Sequence, residues 1–404
     1  MIYVGIDWSE RHHDVCVVDE AGQMLGKVKV PDTVEGLTQI HELVGAHAED
    51  PSGVVVGIEL DRGLVVAALV GAGYRVHHVN TLAVSRYRDR IGPARAKSDA
   101  GDAALLAGAV RTDLALHREI GTDSPEQTAI RALARVHQGL VWTRQREANQ
   151  LRNLLRDYYP AAIGAFAGRL GSAEMVQVLA VAPTPAQGRS LSRAKIASAL
   201  RRAGRTRRVE ERAAEIQAAL RAPQLEASPQ LTSALGHTTK ALCGVIAELL
   251  RQTAAIEAEL SSRFESHPDA EILTSLPGLG RVLGARVLAE FGDDPTRFAD
   301  AKGRRAYAGT APITKASGTR LVVLARVARN RRLADACYQW AFSSLVNSLG
   351  ARALYDRQRA AGKTHHQALR AVANRFVGIL HGCLTHRTLY DERIAWGEVL
   401  DSAA

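Results

Sequence analysis

Over the first 112 residues, apolar positions come in short runs broken by polar turns. "IYVGID", "DVCVVD" and "MLGKVKV" read as three successive strands joined as hairpins. In "VEGLTQIHELVGAHA", Leu37, Ile40, Leu43 and Val44 share one helical face. "VVVGIE" is a fourth strand, almost wholly apolar, as in the covered centre of a sheet. "GLVVAALVGAG" predicts a helix that ends in glycines, and "YRVHHVN" a fifth strand. "DAGDAALLAGAVRTD" predicts a closing helix, with Ser98 placed to cap it. Strands followed by alternating helices and strands predict an α/β unit over residues 1–125, a mixed sheet with helices packed on it.

The period then changes. Residues 128–158 predict one long helix stopped by Pro160. Arg131, Arg135, Arg144, Arg146, Arg152 and Arg156 are spread along it. They suit either a solvated face or a surface for phosphates. A second long helix is predicted from near Thr238. Its Leu242, Ile246, Leu249, Thr253, Ile256 and Leu260 alternate by four and three, a coiled-coil rhythm with a polar break at Thr253. The two helices can pair within the chain or across a dimer. Together they define a helical and coiled-coil region over residues 126–265. A mostly helical third region follows over residues 266–404. It opens with "LTSLPGLGRVLGARVLAEFG", which reads as helix, tight turn, helix. That pattern is either an ordinary helical hairpin or a helix–hairpin–helix. In the second case the turn around Gly278 and Gly280 offers backbone N–H groups to a phosphate.

Charge divides the chain. Residues 1–112 hold 11 Lys/Arg and 15 Asp/Glu. The whole chain carries a formal net charge of +10, so the remainder is strongly basic. Residues 188–212 hold nine Lys/Arg against two Glu, with Arg201, Arg202, Arg207 and Arg208 in the densest run. Such runs bind phosphates without sequence preference. The run has little aromatic interleaving, which argues against base stacking as its main mode. Ten Lys/Arg and one acid lie between Arg297 and Arg332. The four cysteines are far apart and form neither a disulfide framework nor a metal motif, which suits a reducing cytosol. The opening "MIYVGIDWSE" lacks the features of a signal peptide, and no uncharged stretch reaches membrane-spanning length.

Four acids stand out in the first region. Asp7 and Glu59 leave apolar strands at their carboxyl ends, where α/β sheets place sites. Asp99 and Asp102 share one helix face at a spacing of three. Four converging carboxylates repel strongly unless a cation compensates. Hard oxygen donors suit Mg²⁺ or Mn²⁺, and paired ions clamp the attacking and leaving oxygens of phosphoryl transfer. No kinase or P-loop glycine pattern accompanies the acids, which favours a nucleic-acid phosphodiester over a nucleotide and argues against a sugar-kinase reading of "GIDWS".

The acids in their contexts "GIDWS", "VGIEL" and "KSDAGDA" resemble the Holliday-junction resolvase branch of the ribonuclease H-like fold. Over essentially its full length the chain resembles the IS110 family of DEDD transposases. The resemblance implies that Asp7, Glu59, Asp99 and Asp102 are catalytic metal ligands. "YAGTAPITKASG" resembles the family's C-terminal motif, which implies that Ser317 is the nucleophile, flanked by Lys315 and Arg320. The segment after the serine reads "ARN", as in the subgroup that lacks a glycine before the asparagine. The resemblance further implies donor and target DNA as partners, a guide RNA encoded by the element, a dimer that assembles into a tetrameric synapse, and a bacterial, nucleoid-associated location. Two rivals remain on sequence grounds: a structure-selective junction nuclease that does not use Ser317, and a non-catalytic nucleic-acid scaffold. His365 and His366, at a helix start with no acid or cysteine at metal spacing, read as helix surface or nucleic-acid contacts.

Overall fold

The computed structural model describes residues 1–91, 99–318, 320–327 and 329–401; Ser98 lies outside them. The chain forms two compact units, Met1–Ser124 and Pro125–Ala404. The first contains β1 (Ile2–Trp8), β2 (His12–Val18), β3 (Met24–Pro31), α1 (Val34–Gly45), β4 (Val54–Ile58), α2 (Leu64–Gly71), β5 (Arg75–His78), α3 (Thr81–Ile91), α4 (Asp99–Thr112) and β6 (Arg118–Glu119). The five expected strands and the α4 helix are present. The α3 helix and the two-residue β6 go beyond the sequence reading. Neither has a clear apolar period: β6 is a charged pair, and α3 alternates arginines with small and aromatic residues.

The sheet order is β3-β2-β1-β4-β5-β6. β1 pairs antiparallel with β2 and parallel with β4, so the sheet is mixed, as expected. One face, bearing Val4, Ile6, Val54, Val56 and Ile58, closes on the core that includes Ile40 and Val44 of α1 and Val66 and Leu69 of α2. The other face, bearing Tyr3 and Val55, closes on Ala103, Leu106, Ala107 and Val110 of α4. Gly5 and Gly57 lie side by side in the β1–β4 register on that second face. A Cβ on Gly5 would stand 1.9 Å from the Ala103 carbonyl oxygen, and one on Gly57 would stand 2.7 Å from that of Leu106. Two adjacent glycines therefore let the α4 backbone rest directly on the sheet.

The second unit contains α5 (Pro125–Tyr158), α6 (Pro160–Ala165), α7 (Ala173–Val181), α8 (Pro185–Ser190), α9 (Arg193–Arg202), α10 (Val209–Leu220), α11 (Pro229–Glu265), α12 (Ala270–Ser275), α13 (Arg281–Phe291), α14 (Ala301–Ala308), a hairpin of β7 (Ile313–Ser317) and β8 (Arg320–Leu324), α15 (Arg331–Ser344), α16 (Leu349–Ala360), α17 (His365–His386) and α18 (Glu392–Asp401). The α11 helix begins at Pro229, well before the expected start near Thr238. Ser228 caps it by accepting from the Leu231 N–H, and Pro229 fits the first helical turn, where its missing N–H costs nothing. The α5 and α11 helices pair within the chain. The predicted stripe faces inward at Ile246, Thr253 and Leu260. The polar break is satisfied locally: the Thr253 hydroxyl donates to the Leu249 carbonyl at 2.6 Å. Two hydrophobic cores share these long helices. One gathers residues 151–246 around Tyr158, Phe166 and Leu179. The other joins Ile130 and Phe264 to Trp340, Phe376 and Trp396.

Contact between α4 and the sheet gives a direct test. Gly5→Ala forces a methyl group into the Ala103 carbonyl, which cannot swing aside as a side chain can. It should lower stability by at least about 2 kcal/mol. Gly108→Ala, on the same helix with open space at its Cβ, should raise stability by about 0.5–1 kcal/mol. Urea titration of both variants measures the two shifts, and equal shifts would contradict the close approach.

Candidate active site

Strand alternation builds the site. On β1, Tyr3, Gly5 and Asp7 point to the α4 face; on β4, Val55 and Gly57 do so, and Glu59 follows the same alternation. Ile6 and Ile58 are the last parallel pair, so Asp7 and Glu59 stand one step further on, at the carboxyl edge of two neighbouring strands. From the helix side, Asp102 directly precedes Ala103, the residue that meets Gly5. Asp102 is buried, whereas Asp7 and Glu59 are partly exposed. Asp99 begins α4, and its side chain lies outside the described residues.

One cation is bonded to Asp102 and lies within the field of Glu59 and Asp7. The Arg88 guanidinium of α3 donates to Asp102 Oδ1 from Nη2 at 2.5 Å and from Nε at 3.1 Å. Its pKa is raised, first by the hydrogen bond to Asp102, against a desolvation penalty, and then by the charges of Asp102, Glu59 and Asp7. Three of the four predicted acids thus act on a single positive charge. Asp14 is a further acid that sequence reasoning missed. It lies opposite Asp7 in the β1–β2 register and is paired with Lys29 at 3.5 Å. Only the antiparallel register shows that an acid four residues before the end of β2 shares a face with Asp7.

Among the described residues, no three His, Cys, Asp or Glu side chains already stand close enough to share a metal ion. The donor chemistry nevertheless fits one: Asp7 and Glu59 stand at adjacent strand ends and Asp102 on the helix packed against them, all carboxylate oxygens of the kind a hard divalent cation takes. Arg88 supplies that charge here, and an ion on Asp102 would have to displace it.

The predicted nucleophile lies in the second unit. Ser317 is the last residue of β7 and pairs with Arg320 across the hairpin turn. Gly318 follows with φ +55°, a left-handed conformation that accounts for glycine beside the serine. The side chains of Lys315, Ser317 and Arg320 lie outside the described residues. Both ends of the hairpin are fixed. Gly309, at φ +72°, caps α14 where the chain enters. On the exit side, Asn330 donates to Glu290 Oε2 at 2.7 Å and to the Tyr307 hydroxyl at 3.1 Å, while its Oδ1 accepts from the N–H groups of Arg332 and Leu333 to cap α15. Arg135 clasps Glu290 through two bonds of 2.8 and 3.0 Å. Burial pushes the Glu290 carboxyl up, but Arg135 and Asn330 outweigh it and hold the pKa below its ordinary value. The asparagine of "ARN" therefore anchors the hairpin, and two of the dispersed α5 arginines are structural: Arg135 through Glu290, and Arg131 through the Ala289 carbonyl at 2.7 Å.

The other predicted contact residues are placed as follows. The turn between α12 and α13 packs on α15. Trp340 Nε1 donates to the Pro277 carbonyl at 2.9 Å, and Gly278, at φ +84°, leaves no room for a Cβ against Ser344 N. Gly280 is exposed. In the basic run, acids compensate much of the charge. Arg201 pairs with Glu210 at 2.6 Å, Arg205 with Glu174 at 2.6 Å, and Arg208 with Glu211. Arg202 bonds Ser198 and Gln177, and Arg207 is exposed without a partner among the described residues. No helix of the described residues is long and apolar enough to cross a membrane.

A mixed sheet with acids at the carboxyl edge of its central strands defines a ribonuclease H-like nuclease domain, and sequence comparison gives that domain its class, a transposase. A transposase profile of the IS110 DEDD type matches residues 4–160, and a profile described as "Transposase IS116/IS110/IS902 family" matches residues 270–356. The chain is 43% identical over 407 residues to the "Mini-circle putative transposase for IS117" of Streptomyces coelicolor, covering 100% of this chain and 98% of that protein. It is 30% identical over 410 residues to the "Insertion element IS900 uncharacterized 42 kDa protein" of Mycobacterium paratuberculosis, covering 96% and 97%. The chain belongs to the IS110 family of insertion-sequence transposases. It is accordingly a DNA-directed enzyme, and nuclease domains of the DEDD type are generally dependent on a divalent metal.

Arg88→Ala removes the cation that the acids share. Mutual repulsion should then make the apo protein less stable at neutral pH and recover as pH falls, because unneutralised carboxylates take up protons more readily. Added Mn²⁺ should raise the melting temperature of this variant more than that of the parent protein. Equal Mn²⁺ shifts would mean that Arg88 does not compete for the site.

Proposed function

We propose that the protein is a recombinase that cuts and rejoins DNA phosphodiesters through a serine nucleophile and an acidic, metal-binding cluster. The observation that carries this reading is the placement of Asp7 and Glu59 at the ends of two adjacent strands, with Asp102, bonded to Arg88, on the helix seated against those strands in a transposase of this family, and Asp99 at the head of the same helix. Ser317 Oγ attacks the phosphorus, the bond to the leaving sugar oxygen breaks, and the DNA becomes linked to the serine as a phosphodiester. Rejoining reverses the roles: a sugar hydroxyl attacks the same phosphorus and the serine leaves. A serine hydroxyl is a weak nucleophile, and residues 313–322 contain no acid or histidine to accept its proton. The activating group therefore comes from elsewhere, and Asp7, Glu59, Asp99 and Asp102 are the richest supply of acids. They would hold Mg²⁺ or Mn²⁺, which supplies activation of the nucleophile and charge stabilisation at the leaving oxygen. Lys315 and Arg320 would offset charge on the phosphoryl oxygens.

The chemistry takes place on donor and target DNA in a dimer that assembles to a tetrameric synapse, with a structured RNA from the element as guide. A large basic surface without a zinc finger or an evident helix-turn-helix reader suits that division of labour. Arg201, Arg202, Arg207 and Arg208, with the Gly278–Gly280 turn, serve phosphate backbones in this reading. Replacing the four arginines with Ala should weaken nucleic-acid binding across unrelated sequences. The log–log salt slope should become shallower by about 0.9 per lost duplex phosphate contact. Arg202 and Arg207 should contribute most directly, because no acid among the described residues pairs with either.

Ser317→Ala should fold, oligomerise and bind DNA as the parent does, but form no covalent protein–DNA adduct on a junction substrate. Mixed with Asp102→Ala, it should recover part of the adduct if the serine and the acids act across subunits. Full cleavage by Ser317→Ala, with free phosphate and hydroxyl ends, would instead establish a metal-dependent junction nuclease.

A further inference from the structure

A groove of 840 Å³ opens in the second unit beside the serine hairpin. Residues 308–310, which lead into β7, form one wall, and Arg329, which follows β8, lies on the same side. The helices α5, α15 and α17 contribute the rest. Its chemistry is strongly one-sided. Arg146 of α5, Arg329 and Arg370 of α17 line it, and Arg370 has no hydrogen-bond or ion-pair partner among the described residues. The acid that lines it, Asp335, is paired with the buried Arg286 at 3.9 Å, and its Oδ2 also accepts from Gln138 at 2.9 Å and from Gln339 at 3.0 Å. The groove therefore presents uncompensated positive charge.

It also presents aromatic faces, which the basic run at residues 201–208 lacks. Trp142 lies in the groove wall and is 37% exposed, unusual for so large an apolar side chain on a packed helix. The Arg332 guanidinium lies over its ring at 5.1 Å and is itself tied to the Arg135 carbonyl at 3.0 Å, so the indole is held in place. Tyr338, half-buried, and His366, exposed, also line the groove, with ring centroids 5.4 Å apart and tilted at 33°. Arginines beside accessible rings are the combination that binds unpaired nucleotides: cations track the phosphates, and rings stack on bases that a duplex keeps covered.

We infer that this groove binds an unpaired DNA strand at the base of the hairpin that carries Ser317, with a base stacked on Trp142 and phosphates held by Arg146 and Arg370. The inference rests on the reading that the hairpin engages DNA. It adds a single-strand site, which means that the duplex is opened near the base of the hairpin before or during strand transfer. His366 acquires a role as part of a stacking platform.

The test uses the full-length protein and a fluorescein-labelled mixed-sequence 20-nucleotide DNA, read by anisotropy, against the same sequence as duplex DNA and as single-stranded RNA. Trp142→Ala should weaken single-stranded DNA binding about ten-fold or more, the loss of one stacked base, and leave duplex binding unchanged. Trp142→Phe, which keeps a ring, should restore most of it. Arg370→Ala should make the salt slope for the single strand shallower by about 0.7. Ser317→Ala should bind the single strand as the parent does, so failure of the serine chemistry would leave the groove intact, and failure of the groove would leave adduct formation to be scored separately. Because Trp142 supports Arg332, Arg146→Ala and Arg370→Ala provide readouts that do not disturb that packing. Unchanged single-strand affinity in Trp142→Ala and Arg370→Ala, or a loss confined to RNA or equal for duplex DNA, would overturn the inference.

Discussion

The close seat of α4 on the sheet controls the whole first unit. Helix and sheet normally meet through side chains, which keep their backbones well apart. Here Gly5 and Gly57 remove that layer, and the α4 backbone descends onto β1 and β4. The descent brings Asp102 level with the strand ends that carry Asp7 and Glu59. A side chain at either glycine would lift the helix and separate the acids, even though neither residue bears any chemistry. The placement of the acids therefore depends on what two positions lack, and Arg88 then pairs with the one acid this descent buries, Asp102.

The second unit solves a different problem, the support of a two-stranded hairpin. Such a hairpin is marginal alone. Its β8 strand exposes Leu321 and Val323, so its own packing does little to hold it. The rigidity comes from its ends. Asn330 spends its amide group on Glu290 and its carbonyl on the cap of α15, so one side chain joins the hairpin exit to two helices. Arg135 completes the link to α5.

Much of this was legible in the sequence because it follows from short-range rules. Strand alternation, the 3.6-residue period and the acid positions at strand ends are local patterns, and they located the sheet, α4, the two long helices and the predicted acids. What escaped depends on partners distant in sequence. Arg88 looks like any surface arginine until α3 is laid beside α4. Asp14 becomes a neighbour of Asp7 only through antiparallel register. Trp142, Tyr338 and His366 are spread over more than 200 positions and meet only once α5, α15 and α17 are packed. The ion pairs of the basic run were equally hidden: Arg201 and Arg208 face Glu210 and Glu211, acids whose pairing the residue count alone does not show.

The pairing of α5 and α11 has a mechanical consequence. At 1.5 Å per residue, 34 and 37 residues make two rods of roughly 50 and 55 Å. Each borders both cores of the second unit, so neither core can reorient without carrying the rods with it. A swing of 10° at one end displaces the other by roughly 9 Å, given the rod length. The pair has the geometry of a lever arm: any small angular change at the core beside the hairpin would be a translation of the arginine-rich helix α9 at the far core.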